Sequence, residues 1–464
     1  MIETLLIYPY FQSARDRSIF RFPPLGLGYI ASYLRMNGVS VEIVDCTFMD
    51  EKEALRRIEE SEPSVVGIYS MYTMEESSLR LAKMLRKESR LLVAGGPLPT
   101  ICPDRFLQDF DVVVVGEGEQ TMLEIVKAFR KGEDFSKING IAYKKTTTSN
   151  HQFSDEDEKN RITHSPPRQF IPDLDSIPFP ARDLFENSRY IAYHKKTFGD
   201  ATTSLMTSRG CPFNCDFCSK PVFGDTTRVR SPENVVDEIE DVLSYGYDRI
   251  FFQDDCFTID EQRVGRICEE IVNRGLDLRW RCLSRVDSIE PGILSKMKQA
   301  GCERIFFGIE SGNDSVLKTM KKQFTTDQAR RAVESAASAG IETGAFFILG
   351  YPGETDETIL DTIRFAASLS LNYASFTMPY PILGTGLYEK VKGSVKAPTH
   401  KVPHHDFVDH SLNFESSFSE TKLKFAIIKA ATQSRIRKHL TNSMYTVIGK
   451  PFEIATDLIF KALK

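Results

Sequence analysis

Short runs of valine and isoleucine alternate with amphipathic stretches over the first 145 residues. The runs are TLLIYP (4–9), VSVEIVD (39–45), SVVGIYS (64–70), RLLVAGG (90–96) and DVVVVGEG (111–118). Between them, LGLGYIASYLRMNG and MEESSLRLAKMLRKE repeat apolar residues at helical spacing. Strand and helix in repeated alternation predict an open parallel sheet with helices on both faces. Such sheets bind ligands beyond the carboxyl ends of their strands. The residues expected there are Pro9 and Tyr10, then Pro24, Leu25 and Gly26, then Ser70, Tyr72 and Thr73, then Gly95, Gly96 and Pro97, and finally Gly116, Glu117 and Gly118. Each group alone is an ordinary strand-to-helix turn. Five at one edge point to a ligand, and the glycines would let backbone approach a bulky one.

The alternation stops at 146–200. KKTTTSNHQFSDEDEKNRITHSPPRQF is polar and poor in apolar residues, a surface excursion or hairpin, and DLDSIPFPARDLF reads as a strap between domains. A second alternation fills 201–390, with strands expected in TTSLMTSRG (202–210), DRIFFQDD (248–255), LRWRCLSRV (278–286), ERIFFGIES (303–311), TGAFFILGYP (343–352) and YASFTMPYP (373–381). SPENVVDEIEDVLSYG lies between two of them, with Ser231 as the expected N-cap before Pro232. Six strand–helix units predict a partial barrel with active residues at the strand ends. The tail, 391–464, is basic and helical in places and contains KVPHHDFVDH (401–410).

A chain of 464 residues is too long for one ordinary core. Its net charge of −5 and interspersed signs give no electrostatic case for DNA, RNA or an anionic membrane. MIETLLIYPYF lacks the basic flank of a signal peptide, and no run of about 18 apolar residues predicts a membrane span. Cys46, Cys102, Cys256, Cys268, Cys282 and Cys302 are scattered singly, as expected of buried thiols in a reducing cytoplasm.

The remaining three cysteines are different. SRGCPFNCDFCSK (208–220) sets Cys211, Cys215 and Cys218 in a C-x3-C-x2-C pattern. Three thiols are odd for disulfides and one short of a closed structural zinc site. A catalytic zinc with three thiolates and water, or an iron–sulfur cube with one iron left open, both remain compatible with the pattern.

The loop follows the first barrel strand, places the aromatic Phe217 before its last cysteine and opens a six-unit barrel. In this it resembles the radical S-adenosylmethionine (SAM) superfamily. The resemblance implies a [4Fe–4S] cluster on Cys211, Cys215 and Cys218, with the methionine end of SAM completing the open iron. It further implies SAM contacts from Asp254 and Asp255 in FFQDDCFT, Arg285 in CLSRVD, and Glu310 and Ser311 in FFGIESGND, with GYPGET following strand five. FPPLGLGYIASYLRMNG, GGPLPT and DVVVVGEGEQT are similar to the cobalamin-binding, Rossmann-like domain that precedes the barrel in one large subgroup, and the strap is similar to that subgroup's linker. The domains so implied are 1–145 for cobalamin, 146–200 as linker, 201–390 as barrel and 391–464 as a C-terminal extension. The D-x-H-x-x-G motif that brings histidine to cobalt is absent, and residues 1–150 contain no histidine. Cobalamin is therefore expected base-off, with Tyr72 or a water beneath the metal.

The implied activity is C-methylation: hydrogen abstraction from an unactivated carbon by a 5′-deoxyadenosyl radical, and transfer of methyl from methylcobalamin. Such a system needs an external electron donor such as ferredoxin or flavodoxin. Oxidative cyclisation or rearrangement without methyl transfer is the main rival, and a non-catalytic cobalamin sensor belongs to another class. A methylthiotransferase would need three further clustered cysteines, which Cys46 and Cys102 do not supply. On analogy alone the substrate carbon is placed in a protein side chain such as glutamine or arginine. The expected protein is a cytoplasmic monomer without nucleic-acid partners. Three histidines in HHDFVDH are read as a solvated loop before a second metal site.

Overall fold

The computed structural model describes residues 2–11, 21–145, 162–396, 411–440 and 442–463. The histidine cluster of 404–410 lies outside the described residues. Two compact units are present: Met1–Ser204 with Lys220–Gly224, and Leu205–Ser219 with Asp225–Lys464. The strap between the two alternations thus belongs with the first unit.

The first unit is built on a seven-stranded sheet in the order β2-β1-β3-β4-β5-β6-β7. Its strands are β1 (Thr4–Tyr8), β2 (Val41–Asp45), β3 (Val65–Tyr69), β4 (Leu91–Gly95), β5 (Val112–Val114), β6 (Ile141–Lys144) and β7 (Ile162–His164). The first five run parallel, as their apolar runs predict. Neighbouring residues on one strand go to opposite faces, and both faces are covered. Leu6, Val65 and Val93 pack with Ala31, Leu34, Ile125 and Val126, whereas Leu5, Val66 and Leu92 pack with Ile58, Leu81, Leu85 and Phe106. The antiparallel β6 and β7 extend the sheet on either side of the polar stretch, in keeping with the hairpin alternative of the sequence reading. They are too short for periodicity to reveal.

The second sheet has six strands in the order β15-β14-β13-β12-β11-β8. These are β8 (Thr202–Leu205), β11 (Arg249–Phe252), β12 (Arg279–Ser284), β13 (Cys302–Glu310), β14 (Glu342–Ile348) and β15 (Tyr373–Thr377). β11 to β15 are parallel, in chain order, and each has a helix after it or between it and the next, which is the expected partial barrel. The predicted run TTSLMTSRG breaks in two. Thr207 leaves the sheet, its carbonyl accepting the Arg230 amide at 3.0 Å and its amide donating to the Asp254 carboxylate, and Ser208–Arg209 (β9) pairs antiparallel with Arg228–Val229 (β10). Ser231 caps the helix Pro232–Ser244 by accepting the Asn234 amide at 3.2 Å. The edge strand β15 is covered by the long helix Glu420–His439, which also packs on Asp356–Ser368.

Candidate active site

The cysteine loop leaves β9 and is pinned to the barrel through a residue between the cysteines. The Asp216 amide donates to the Met320 carbonyl, its own carbonyl accepts from the Leu387 amide, and each bond is 2.9 Å. Its buried carboxylate accepts the Tyr351 hydroxyl and the Lys390 ammonium, both at 2.6 Å. Gly386 begins the helix Gly386–Val391 at that point, and a Cβ there would stand 2.2 Å from Asp216 Oδ1, so only glycine fits. Phe217 meets Tyr351 edge to face at 6.5 Å. Burial works against ionisation of Asp216, but the Lys390 and Tyr351 hydrogen bonds outweigh it and hold the carboxyl below its ordinary value.

Arg285, just beyond β12, serves the same loop. Its guanidinium lies 3.7 Å from the centre of the Phe213 ring and donates to Cys215 Sγ at 3.4 Å. Two further donors grip the Asp287 carboxylate at 2.9 and 2.8 Å, and another reaches the Lys322 carbonyl. The side chain expected to hold SAM is committed to the cysteine loop and the Lys322 turn.

Lys322 was not foreseen from sequence. Lys321 and Gln323 on either side have φ of 57° and 63°, a left-handed backbone that turns the buried Lys322 side chain inward. Its ammonium lies 3.4 Å from Glu310 Oε1 and over the rings of Phe217 and Phe324. Glu310 ends β13 with φ of 71°, and burial raises its carboxyl despite Lys322. The strand end therefore carries a buried acid–base pair beside the cysteine loop's aromatic residue.

Asp254 follows β11 as expected but is spent inside the fold. It accepts the Thr207 amide at 2.6 Å, the Thr207 hydroxyl and the Ser208 hydroxyl at 2.8 Å, with Arg263 at 3.8 Å. It positions the chain entering the cysteine loop. Asp255 is exposed. Ser311 is buried and bonds Thr362 and the Asn313 amide. Glu354, in GYPGET, accepts the Gly350 and Tyr351 amides at 2.7 and 2.8 Å, and burial pushes its carboxyl up to about 7.

In the first unit the strand-end glycines divide into two kinds. A Cβ on Gly26 would meet nothing within 4 Å, one on Gly95 only Val114 at 3.9 Å, and one on Gly116 only the Val222 carbonyl at 4.0 Å. These three border open space. Gly96 has φ of 108°, and its Cβ would stand 2.6 Å from the Ser70 carbonyl oxygen. Gly118 is needed for packing, since its Cβ would stand 2.7 Å from Ile30. Ser70 accepts the Ser78 hydroxyl at 2.9 Å, Pro9 accepts that of Ser77 at 2.8 Å, and Pro97 starts a short helix. Leu25 is buried in the core, Pro24 precedes its helix as N-cap, and Tyr72 and Thr73 form a half-buried helical turn, with Tyr72 packed on the core. Tyr10 lies against Tyr8. Glu117 turns away from this edge: its buried carboxylate accepts the Ile171 amide at 2.8 Å and fixes the strap.

The donor chemistry fits an iron–sulfur cluster. Cys211, Cys215 and Cys218 are unbridged and accessible, with a guanidinium beside one of them, whereas the scattered cysteines are buried, Cys102 half so. Burial pushes the thiols of Cys102 and Cys268 up to about 11 and 12, as expected of inert packing residues. Among the described residues no three His, Cys, Asp or Glu side chains converge as a preformed metal site, so the thiols share a loop without meeting at one point. The open space along Gly26, Gly95 and Gly116 fits a broad cofactor at the first sheet's edge.

Residues 205–366 match the radical SAM superfamily and residues 16–126 the B12 binding domain. An uncharacterized methyltransferase of Pyrococcus horikoshii is 35% identical over 402 residues, covering 84% of this chain and 83% of the relative. The anaerobic magnesium-protoporphyrin IX monomethyl ester cyclase of Rubrivivax gelatinosus is 30% identical over 411 residues, covering 85% and 71%. In fold, the chain matches the radical SAM methyltransferase TsrM from Kitasatospora setae, solved with cobalamin and a [4Fe–4S] cluster, with a TM-score of 0.68 at 20% identity over 86% of this chain and 76% of that one. An N-terminal B12-binding sheet, a radical SAM barrel and relatives alike over most of both lengths place this chain among the cobalamin-binding radical SAM enzymes, in the methyltransferase subgroup.

Proposed function

We propose that this enzyme methylates an unactivated sp3 carbon, using SAM and cobalamin. The carrying observation is the anchored loop of three accessible cysteines in a chain that also presents a glycine-lined, B12-type sheet edge. When bound, the cluster with SAM supplies a 5′-deoxyadenosyl radical, and methylcobalamin supplies the methyl group.

Cys211, Cys215 and Cys218 would hold the cluster, and Arg285 offsets negative charge at Cys215. The Glu310–Lys322 pair suits the ammonium and carboxylate of the SAM methionine, since each ion offers the opposite charge. Buried surroundings strengthen those contacts and exclude water. Absence of histidine ligation to cobalt is supported by what the described histidines of the first unit do. His194 is buried and bonded to the Arg21 carbonyl at 2.7 Å, and exposed His164 pairs with Asp104. A reductant such as ferredoxin or flavodoxin would feed the cluster. A monomer in the cytoplasm acting on a protein side chain, glutamine or arginine, completes the reading; the last element rests on analogy.

Anaerobically reconstituted enzyme with reductant and SAM should form 5′-deoxyadenosine, and Cys→Ala changes at 211, 215 and 218 together should abolish it. Intact-mass comparison of the proteome with and without the enzyme should show a product heavier by about 14 Da. The Rubrivivax relative favours oxidative cyclisation as the second reading. A product without added methyl carbon, formed at one deoxyadenosine per turnover, would replace methylation by that chemistry.

A further inference from the structure

The whole-chain charge of −5 conceals a segregation. Residues 420–464 hold nine lysines and arginines against three acids, a net +6 that leaves the rest of the chain at −11. The same segment carries a run of exposed large apolar side chains. Val447, Ile448, Ile454, Leu458 and Ile459 are between 49% and 74% exposed. Val447, Ile454 and Leu458 recur at intervals of seven and four residues, and Ile448 and Ile459 at eleven, so they share one side of the helical segment that ends in Lys450–Ala462.

Of the three acids, Glu420 lies at the far end of the long helix and bonds the Leu412 amide and Lys424, while Glu453 and Asp457 do not face the same way as the apolar stripe. Glu453 is buried and bonds Tyr445 at 2.8 Å and Lys450 at 3.1 Å, with Arg364 at 3.4 Å. Asp457 pairs with the buried Lys429 at 2.8 Å and with Arg364. Both carboxylates are consumed internally. At the end of Glu420–His439, by contrast, Arg435, Arg437 and Lys438 have no acidic partner among the described residues. Arg437 lies over the Tyr445 ring at 4.5 Å, which joins this basic end to the apolar helix. Arg435 and Lys438 line a cavity of about 940 Å³ with Ile341, Glu342, Asn372 and Tyr373, at the amino ends of β14 and β15, away from the cysteine loop.

Lys450 and Lys461 of the apolar helix are paired with Glu453 and Glu357, so the free cations come from the neighbouring helix end. An apolar stripe beside such cations, with Glu453 and Asp457 turned inward, suits a helical surface lying in a membrane interface. We propose that the helix Lys450–Ala462, with the basic end of Glu420–His439, docks this protein on an anionic lipid bilayer. Val447, Ile454 and Leu458 enter the headgroup boundary, and Arg435, Arg437 and Lys438 meet the lipid phosphates. A second copy of the chain fits less well, because Arg435, Arg437 and Lys438 of each copy would have to be brought together. No helix among the described residues is long and apolar enough to cross a membrane, so the attachment is peripheral.

The test is flotation of the cluster-loaded full chain with vesicles of phosphatidylcholine alone or mixed with phosphatidylglycerol. Binding only to the mixed vesicles, weakened by salt, is expected. Ile454→Glu with Leu458→Glu should weaken it about tenfold or more, and Arg435→Gln with Lys438→Gln should weaken it in proportion to the charge lost. Both pairs are solvent-facing, so deoxyadenosine formation and helix content should stay unchanged and report an intact fold. Absence of binding, or equal binding to both vesicles, would overturn the proposal. So would a concentration-dependent dimer that the Glu pair dissociates, or a protein partner that competes with vesicles yet binds the Gln pair normally.

Discussion

The Tyr351 hydroxyl donates to Asp216 Oδ2 at 2.6 Å, joining residues 135 positions apart in the chain. Asp216 lies between two cysteines of the loop, and Tyr351 follows the fifth barrel strand. One hydrogen bond therefore couples the thiol-bearing loop to the barrel end, and Lys390 reinforces it from the next unit.

Replacing Asp216 by alanine should leave Lys390 and Tyr351 without their anion and free the loop. We expect a loss of about 3 kcal/mol in stability and lower iron retention after anaerobic reconstitution. Tyr351→Phe should cost about 1 kcal/mol. Because Asp216 is held below its ordinary pKa, its contribution is present above the unfolded carboxylate value and is lost as pH falls through the folded one. Denaturation midpoints and iron assays check this; full iron and an unmoved midpoint in the alanine variant would show the anchor to be idle.

Glu354 predicts the opposite slope. Its folded pKa, raised by burial to about 7, exceeds the unfolded value. Its contribution is full below the unfolded value and is lost as pH rises through about 7. The slope is at most about 1.4 kcal/mol per pH unit. Glu354→Gln keeps an oxygen for the Gly350 and Tyr351 amides and should flatten this slope. Unfolding free energies measured across that window, wild type against variant, decide it, and parallel profiles would refute the assignment.

Two glycines at the first sheet's edge should behave differently. Gly96→Ala places a Cβ against the Ser70 carbonyl at positive φ and should destabilise by about 2–4 kcal/mol. Gly26→Ala, in the first turn of a helix with open space around it, should be neutral or stabilising by up to about 1 kcal/mol. If that open space accommodates cobalamin, Gly26→Ala should nevertheless weaken cobalamin binding. Thermal melts of the apoprotein and cobalamin titration separate the two effects.

Asp254 is assigned to the interior rather than to SAM. Asp254→Ala strips the Thr207 and Ser208 bonds and leaves Arg263 buried without its carboxylate, so stability should fall by about 3–5 kcal/mol. A variant with a normal melting temperature but lost SAM binding, seen by equilibrium dialysis, would return Asp254 to the SAM site.

Local periodicity determined much of this protein. Ten of the eleven strands that the two alternations predict are present and parallel, and the eleventh, TTSLMTSRG, is divided between β8 and β9. A strand buried on both faces writes itself as an apolar run that helix-period segments interrupt. The three cysteines were legible because their chemistry depends on spacing within one loop. Tertiary structure alone decided the rest. Lys322 lies in KKQF, a string with no motif, and becomes a buried partner of Glu310 only through two left-handed residues and the close of β13. Arg285 and Asp254 had the foreseen places at strand ends, but a strand end does not tell which way a side chain turns. Here both turn to the cysteine loop and the chain entering it, Arg285 to Cys215 and Asp254 to Thr207 and Ser208, contacts that span 46 to 70 positions and that only the folded barrel brings together.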